Sequence, residues 1–385
     1  MRFQVAKRDL EAALQVVSSS ISNSGSDISA HYTFRRTGKE EGKYGIEVLT
    51  YANQTCSSCP LAAVSFSEVG DKKKTAFTIE GWRLKDWLKC IPADSVPEFS
   101  LVDGEVTIKV RRGSQDFQSL DPSTFPYWDK MLGDSEVKAT LPADRLAAAL
   151  AYSRLFIMDK DGEPDKSVCE VLGGVMYSSD KKAVTLIKVA GLEESTLRVH
   201  GKDVGGILTF LGTAGDGNVE ILEHERNLFV RRCVDGAVFG EARFQFQFPV
   251  PKVKLDDPSH HLWEVPCDEL RSAIGFLVAG ADPKDNRLCL APGTDPGEVT
   301  LSMANTTGKV TTLTLSGISM QSDPQAPTVP ETGFVLDHNV LDKVLTTWKE
   351  PMVKFGISFA GGRGILRCRH EKLESVYLTI IATLR

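Results

Sequence analysis

Three stretches of this 385-residue chain contain residue types that bind metal ions or transfer protons. A Cys-x-x-Cys motif at residues 56–59 has the spacing of zinc-ligating thiols. The acidic run at residues 159–163 is similar to the start of a calcium-binding loop, and residues 260–261 are adjacent histidines. Metal binding and acid–base catalysis are therefore the first chemistries to consider.

None of these stretches is a complete site in the sequence. The cysteines lack a second Cys or His pair at a suitable distance, and the acidic run lacks a third acidic ligand before Gly162. The histidine pair is interpreted as part of a solvated linker. No phosphate-binding loop, nucleophile elbow or His-Glu-x-x-His motif occurs. We predict structural thiols, a polar turn, no cofactor, no metal and no catalytic activity.

The elements that must position any site recur three times. A short apolar strand precedes the pattern Leu-x-x-Ala-(Leu/Ile), and each copy places four residues on one helix face. The three faces are Leu10, Ala13, Leu14 and Val17; Leu146, Ala149, Leu150 and Ser153; and Leu270, Ala273, Ile274 and Leu277.

A second helix is predicted later in each third of the chain, again directly after a strand. Strand candidates rich in β-branched residues lie between and after the two helices. Each third is therefore predicted to be an α+β unit. The matching apolar positions are Ile79, Leu84, Trp87 and Leu88; Val199, Val204, Ile207 and Leu208; and Leu336, Leu341, Val344 and Leu345.

The spacing of the copies predicts the domain organisation. Leu10 and Leu146 are 136 residues apart, and Leu146 and Leu270 are 124 residues apart. This period is that of whole domains, far longer than a solenoid repeat. We predict three domains, over residues 1–135, 136–257 and 258–385.

Composition predicts a soluble globular protein in the cytoplasm. Hydrophobic residues make up 42% of the chain and charged residues 25%, with no apolar run of about 18 residues that could span a membrane. No apolar signal segment follows Met1, and the eight scattered cysteines fit reduced thiols. We predict no membrane partner.

Three segments resemble the bacterial-type DNA polymerase III beta subunit, a sliding clamp. They are the opening MRFQVAKRDLEAALQVVS, the run TAFTIEGWRLKDWLKCIP with the TFPYWDKM that follows it, and the end SVYLTIIATLR. Their order and the three-fold repetition extend the resemblance over essentially the full length.

The resemblance implies three tandem clamp domains, each with two helices packed on curved antiparallel sheets. Three domains form half of a six-domain ring, so it implies a head-to-tail homodimer. The ring would enclose double-stranded DNA without reading its sequence. The other implied partners are the replicative DNA polymerase and an ATP-dependent clamp loader, in a bacterial cytoplasm or nucleoid or a phage-infected host.

Three sets of residues are implied by the resemblance. The inner helices would face DNA through Lys7, Arg8, Arg83, Lys85, Lys89, Arg145, Arg154, Lys202, Arg271 and Lys343. An apolar pocket for partner peptides would be formed by Leu172, Val189, Gly191, Leu192, Pro249, Val253, Leu378 and Ile380. The dimer interface would include Phe117, Leu277 and Val278.

The stretch from Val189 to Glu194 departs from the family. It reads Val-Ala-Gly-Leu-Glu-Glu, where the family usually has Thr-Asp-Gly-His-Arg-Leu at the peptide pocket. We therefore expect a different peptide preference, and a divergent clamp from a phage or mobile element or a specialised paralogue.

Two alternatives stay open. One is a repeat-built enzyme whose site lies at a domain junction and uses Asp159, Asp161, Glu163 and His200 as ligands or acid–base groups. The other is a clamp-like binding hub that no longer loads on DNA.

Overall fold

The six helices expected from the repeats are all present. The computed structural model describes residues 1–22, 27–37, 45–67, 75–102, 104–157, 167–180, 182–243, 254–360, 363–372 and 375–382. The α-helices in these ranges are α1 Lys7–Val17, α2 Gly81–Cys90, α3 Asp129–Gly133, α4 Ala143–Arg154, α5 Gly201–Gly212, α6 Cys267–Gly280 and α7 His338–Thr347.

The apolar spacing of the repeats correctly predicts which helix faces are buried. All twelve residues of the first repeated phrase are at most 7% exposed. In the second phrase, Trp87 and Leu208 are half-buried and the other ten residues are buried. Burial of these stripes is the main stabilisation of such short helices, which are marginal in isolation.

The strands are short and numerous, as an α+β chain requires. In chain order they are β1 Arg2–Val5, β2 His31–Thr37, β3 Gly45–Ala52, β4 Thr55–Leu61, β5 Ala63–Ser67, β6 Ala76–Glu80, β7 Glu98–Val102, β8 Glu105–Val110, β9 Gly113–Gln118, β10 Glu136–Pro142, β11 Val168–Leu172, β12 Val175–Ser179, β13 Ala183–Val189, β14 Arg198–His200, β15 Asn218–Glu223, β16 Asn227–Arg232, β17 Val238–Ala242, β18 His261–Pro266, β19 Arg287–Pro292, β20 Val299–Ala304, β21 Val310–Leu315, β22 Ser319–Ser322, β23 Phe334–Asp337, β24 Met352–Ala360, β25 Arg363–Lys372 and β26 Ser375–Ala382.

The chain divides into two compact units. Unit 1 comprises residues 1–147 and 194–245, and unit 2 comprises residues 148–193 and 246–385. Each unit combines part of the middle third of the chain with one of the ends. The division into three domains stays a prediction.

Unit 1 contains two antiparallel sheets. One has the order β5-β1-β7-β8-β9, and the other has the order β10-β15-β16-β17-β4-β3-β2-β6. In the second sheet β17 pairs with β4, from Val238 opposite Ser58 to Glu241 opposite Thr55. The core includes four packed rings, whose centroids are 4.9–6.4 Å apart: Phe3, Phe34, Phe77 and Phe99.

Unit 2 is also built on antiparallel sheets. One has the order β21-β20-β19-β23, and a larger one contains β11-β12-β13-β26-β25-β24-β18-β22 in that order. The middle third joins the end of the chain where β13 pairs with β26, from Ala183 opposite Ile381 to Val189 opposite Ser375.

One carboxyl group is buried in unit 1 with an unsatisfied oxygen. Glu241 in β17 is 2% exposed, and its Oε2 atom has no hydrogen-bond partner among the described residues. Phe239, two positions earlier, packs on Phe210 of α5, so strand alternation directs Glu241 toward the same helix. Burial raises the pKa of Glu241 well above its ordinary value, and Asp203 of α5 adds to this while Lys202 opposes it.

We predict that Glu241→Gln stabilises the protein at neutral and alkaline pH. The folded state keeps a proton on Glu241 that the unfolded state releases above the ordinary pKa of 4.5. Wild-type stability therefore falls as the pH rises from that value toward the raised pKa. Thermal unfolding across this pH range should give a gain that grows with pH, of roughly 2–4 °C for each kcal/mol in a domain of about 150–250 residues.

The matched control for this prediction is Glu220→Gln on β15. Glu220 is ion-paired to Arg231 at 2.6 Å, so its neutralisation should not stabilise the protein. An equal gain from both variants, or a gain that does not change with pH, would contradict the prediction.

Candidate partner-binding and DNA-facing residues

The geometry of the Cys-x-x-Cys motif prevents it from holding one metal ion. Cys56 and Cys59 lie in β4, and three positions along a strand place their side chains on opposite faces. Both thiols are buried, and burial raises the pKa of Cys59 to about 12. Within the part of the chain that the structure describes, no group of three or more His, Cys, Asp or Glu side chains could hold a metal ion.

The adjacent histidines belong to the fold of unit 2, so the prediction of a solvated linker is wrong. His261 begins β18 and is 4% exposed. Its Nδ1 and Nε2 atoms lie 2.8 Å from Ser322 Oγ and 2.7 Å from Pro327 O. His260 Nδ1 accepts a hydrogen bond from the Phe359 N–H at 3.3 Å. Pairing of β18 with β22 and β24 draws this segment into the sheet.

The histidine of the alternative enzyme site has a structural role. His200 is 6% exposed, and as the N-cap of α5 its Nδ1 atom accepts a hydrogen bond from the Lys202 N–H at 3.2 Å. The other members, Asp159, Asp161 and Glu163, lie outside the described residues. His200 therefore gives the enzyme alternative no support.

An apolar cluster lies on one face of the large sheet in unit 2. Leu186 of β13 is directly opposite Leu378 of β26, and Val184 is opposite Ile380. Directly opposed residues share a face, so these four side chains form one apolar surface. Its buried members are Leu186, Leu378 and Ile380, and the partly buried side chains packed on them are Val175, Tyr177, Val184, Leu255 and Ile365.

Only part of the predicted peptide pocket lies on this face. Leu378 and Ile380 lie at the centre of the apolar cluster, and Leu172 of β11 is half-buried. Val189 is three positions from Leu186 on β13 and therefore faces the other side of the sheet. Val189 and Leu192 are both 0% exposed and neither belongs to the apolar cluster, so we assign them to the core instead of the pocket.

The other predicted pocket residues contribute no described side chain to the apolar cluster. Gly191 is in the turn after β13, with φ at +96°, and its N–H donates to the Glu193 carboxylate at 3.0 Å. Pro249 and Val253 lie outside the described residues.

Sequence reasoning missed several members of the apolar cluster, including Val184, Leu186 and Leu255. A usable signal was present, because the two-residue spacing of Val184 and Leu186 puts them on one strand face. The pairing of β13 with β26, which brings that face beside Leu378, has no local signature in the sequence.

A cavity of about 730 Å³ opens beside the cluster and shares Leu255 and Leu378 with it. Trp348 and His370 contribute aromatic walls, with ring centroids 4.6 Å apart. Burial lowers the pKa of His370 to about 4, so the imidazole is neutral at physiological pH. The lining combines these apolar and aromatic side chains with charged ones such as Glu350 and Arg367, and a cavity of this size accommodates a small ligand or the side chains of a peptide.

Two predicted DNA-facing cations donate hydrogen bonds to backbone carbonyls, Lys7 in unit 1 and Arg271 in unit 2. Lys7 is 9% exposed, and its Nζ donates to Ile91 O at 2.9 Å. Arg271 of α6 donates to Leu345 O and, at 2.6 Å, to Trp348 O, and so satisfies carbonyls at the end of α7. We correct both assignments to structural roles.

Lys343 of α7 also has a structural role. Its Nζ donates to Leu155 O at 2.9 Å and forms an ion pair with Asp180 at 3.3 Å. The same ammonium lies 5.6 Å from the centre of the Phe156 ring. These contacts connect α7 to the end of α4, so Lys343 stabilises the fold of unit 2.

The remaining seven predicted cations lie on helix surfaces, and at least three of them are paired with neighbouring acidic residues of the described ranges. Lys85 and Arg145 are half-buried, and Arg154 and Lys202 are exposed. The paired cations are Arg8 with Asp9 at 3.3 Å, Arg83 with Glu80 at 2.8 Å and Lys89 with Asp86 at 2.7 Å. The local positive charge is therefore modest.

Of the three predicted interface residues, one lies on an edge strand and two lie in helix α6, and two of the three side chains are buried. Phe117 of the edge strand β9 is 6% exposed and packs on Trp87 with centroids 6.3 Å apart. Leu277 is a buried residue of α6, whereas Val278 is 38% exposed. The exposed surface there also includes Phe276 of α6 and Val310 of the edge strand β21.

Comparison with solved structures identifies the fold. The chain matches the DNA polymerase III subunit beta of Pseudomonas aeruginosa with 15% identity and a TM-score of 0.79, covering 100% of both chains. The beta subunit from Thermotoga maritima has 13% identity and a TM-score of 0.76, with 100% and 99% covered. A sliding clamp from Bartonella birtlesii bound to griselimycin has 15% identity and a TM-score of 0.77, with 100% of both covered.

The fold expected from the resemblance is confirmed by these matches, which extend over the full chain. No protein-family model matches the sequence, and no curated protein matches it. No helix within the described ranges has the length and apolar character needed to span a membrane. The chain has the fold of a DNA polymerase III beta sliding clamp.

We predict that Lys343→Ala lowers the stability of the protein, because it leaves the Leu155 carbonyl and Asp180 without their cation. Leaving a buried or partly buried acceptor without its hydrogen-bond donor lowers the free energy of unfolding by about 1–3 kcal/mol. Thermal unfolding should show the loss, with Lys202→Ala on α5 as the matched control because Lys202 is exposed. Equal melting temperatures for the two variants would contradict the structural role of Lys343.

Proposed function

We propose that this chain, which has the sliding-clamp fold, is a processivity factor that encircles duplex DNA and tethers a replicative DNA polymerase. The observation that carries the proposal is the match to clamp structures over the full chain at TM-scores of 0.76–0.79. The protein acts by topology and has no catalytic step, and an ATP-dependent loader opens it onto DNA.

The proposed ring is a head-to-tail homodimer. Two edge strands support it, because β9 ends one sheet of unit 1 and β21 ends one sheet of unit 2. An edge strand offers unpaired N–H and C=O groups to a second chain. Phe276, Val278 and Val310 are 63%, 38% and 65% exposed beside β21, and their burial against a second copy would add apolar contact.

The proposed peptide site is the apolar cluster around Leu378. Partner peptides bind such surfaces because burial of one or two apolar anchors supplies most of the affinity. The cavity beside Trp348 extends the site by the volume of several side chains. Two solved clamps are bound to griselimycin, which supports the presence of a ligand site in the fold.

The proposed DNA contacts are few and independent of sequence. A ring that slides must not hold the phosphates tightly, and phosphate contacts from Lys and Arg dominate DNA affinity. Arg154 and Lys202 are exposed candidates, and Arg8, Arg83 and Lys89 contribute with their charge reduced by paired carboxylates. The alternative of a binding hub that no longer loads on DNA makes the opposite prediction in the loading experiment below.

We predict that the protein runs in solution at about 84 kDa, twice the 42.1 kDa of one chain, and is retained on DNA by topology. After loading on nicked circular DNA it should stay bound at high salt, and it should be lost when the circle is cut. Equal retention on circular and linear DNA would contradict a topological mechanism, and no retention on either would favour the binding hub.

We predict that Val184→Asp weakens binding of an apolar peptide from the cognate polymerase by about tenfold or more, the cost of disrupting an anchor contact. Val184 is partly buried and packs on Ile380, so the change should leave the core and the dimer intact. Fluorescence anisotropy of the peptide measures the affinity. Val234→Asp is the control, because Val234 is 72% exposed in unit 1; equal losses from both variants would contradict the assignment.

A further inference from the structure

Trp82 at the start of α2 is an exposed aromatic side chain that no proposed contact yet explains. Its exposed fraction is 55%, and the other exposed aromatic residue among the large hydrophobic side chains of the described ranges is Phe276. An exposed tryptophan leaves a large apolar surface in contact with water, and tryptophan is enriched where proteins bind partners. The residue therefore points to a binding function.

A carboxylate fixes the position of this ring. Glu80 Oε1 accepts a hydrogen bond from Trp82 Nε1 at 2.5 Å, and Glu80 Oε2 pairs with Arg83 Nε at 2.8 Å. The Arg83 guanidinium lies 5.3 Å from the centre of the indole ring. Glu80 is the N-cap of α2 but makes no side-chain bond to the helix backbone. Its two oxygens instead hold Trp82 and Arg83 together as a preorganised platform.

The helix that presents the platform is the most positively charged in the described chain. The α2 segment contains three basic residues and one acidic residue, a net charge of +2. The next highest is α4, with two basic residues and one acidic residue. Lys202 of α5 and Asn339 of α7 occupy the position of Trp82 in the other two repeats and are also exposed. The repeat position is thus a surface position in every copy, and only the first copy carries an aromatic ring.

We propose that the Trp82–Arg83 platform stacks on an unpaired DNA base, at a junction between duplex and single-stranded DNA. Every base has a flat π face, so stacking on an aromatic ring needs no sequence, and a neighbouring cation both strengthens the stack and approaches the phosphates. Bases inside a duplex are already stacked and do not offer this face. This inference rests on the proposed function, because it takes the exposed side of α2 to face the DNA.

The test compares two DNAs, a blunt duplex and the same duplex with a single-stranded extension, by fluorescence anisotropy with the intact homodimer. Wild type should bind the extended DNA more tightly. Trp82→Ala should weaken binding to the extended DNA by about 5- to 100-fold and leave the blunt duplex unchanged. Trp82→Phe should retain most of the preference, because a ring is still present. Glu80→Ala should give an intermediate loss, since the platform is no longer held.

Asn339→Ala is the matched control at the same repeat position of α7 and should change neither affinity. Equal weakening of both DNAs by Trp82→Ala would overturn the proposal and make Trp82 a duplex contact. No change on either DNA, with reduced binding of the polymerase or loader, would make it a protein contact. Retention of Trp82→Ala on nicked circular DNA tests the clamp function separately, because a clamp without the platform should still be held by topology.

Discussion

The structure depends on backbone pairing between strands that are distant in the chain. In unit 1 β17 pairs with β4, and in unit 2 β13 pairs with β26. These ladders connect the middle third of the chain to each end, so each sheet is continuous across a predicted domain boundary. A ladder also fixes register, and register fixes which side chains share a face. The apolar cluster around Leu378 and the burial of Glu241 both follow from these two pairings.

The same constraint explains why the helices were easier to predict from sequence than the site. The helical stripes containing Leu10, Leu146 and Leu270 need only local information, since one periodic face must be buried against something. The site needs non-local information. Val189 and Leu378 both read as apolar strand residues, but the register of β13 against β26 puts them on opposite faces of the sheet. No local pattern distinguishes a strand residue that faces the core from one that faces a ligand.

The contacts of charged residues are also non-local, for a related reason. Lys7, Arg271 and Lys343 read as exposed cations on amphipathic helices, yet each donates to backbone carbonyls. The carbonyls at helix ends need donors, and a long flexible side chain from another element can supply them. The partner of such a cation lies 74 to 188 residues away, so the sequence around the cation contains no sign of it. The adjacent histidines 260–261 were misread in the same way, because the hydrogen-bond partners of His261 come from a distant strand and loop.

The contacts that these three cations make with backbone carbonyls change how a clamp with this fold would hold DNA. Ion-paired surface cations release few counterions when they meet phosphate, so the electrostatic attraction to DNA is weak. Weak attraction favours sliding on duplex, but it gives the ring no preference for one position. Stacking on an aromatic ring supplies such a preference, because it operates only where a base is unpaired. An electrostatically weak inner surface with one aromatic platform would therefore let the ring move freely on duplex and pause at the junction where synthesis takes place.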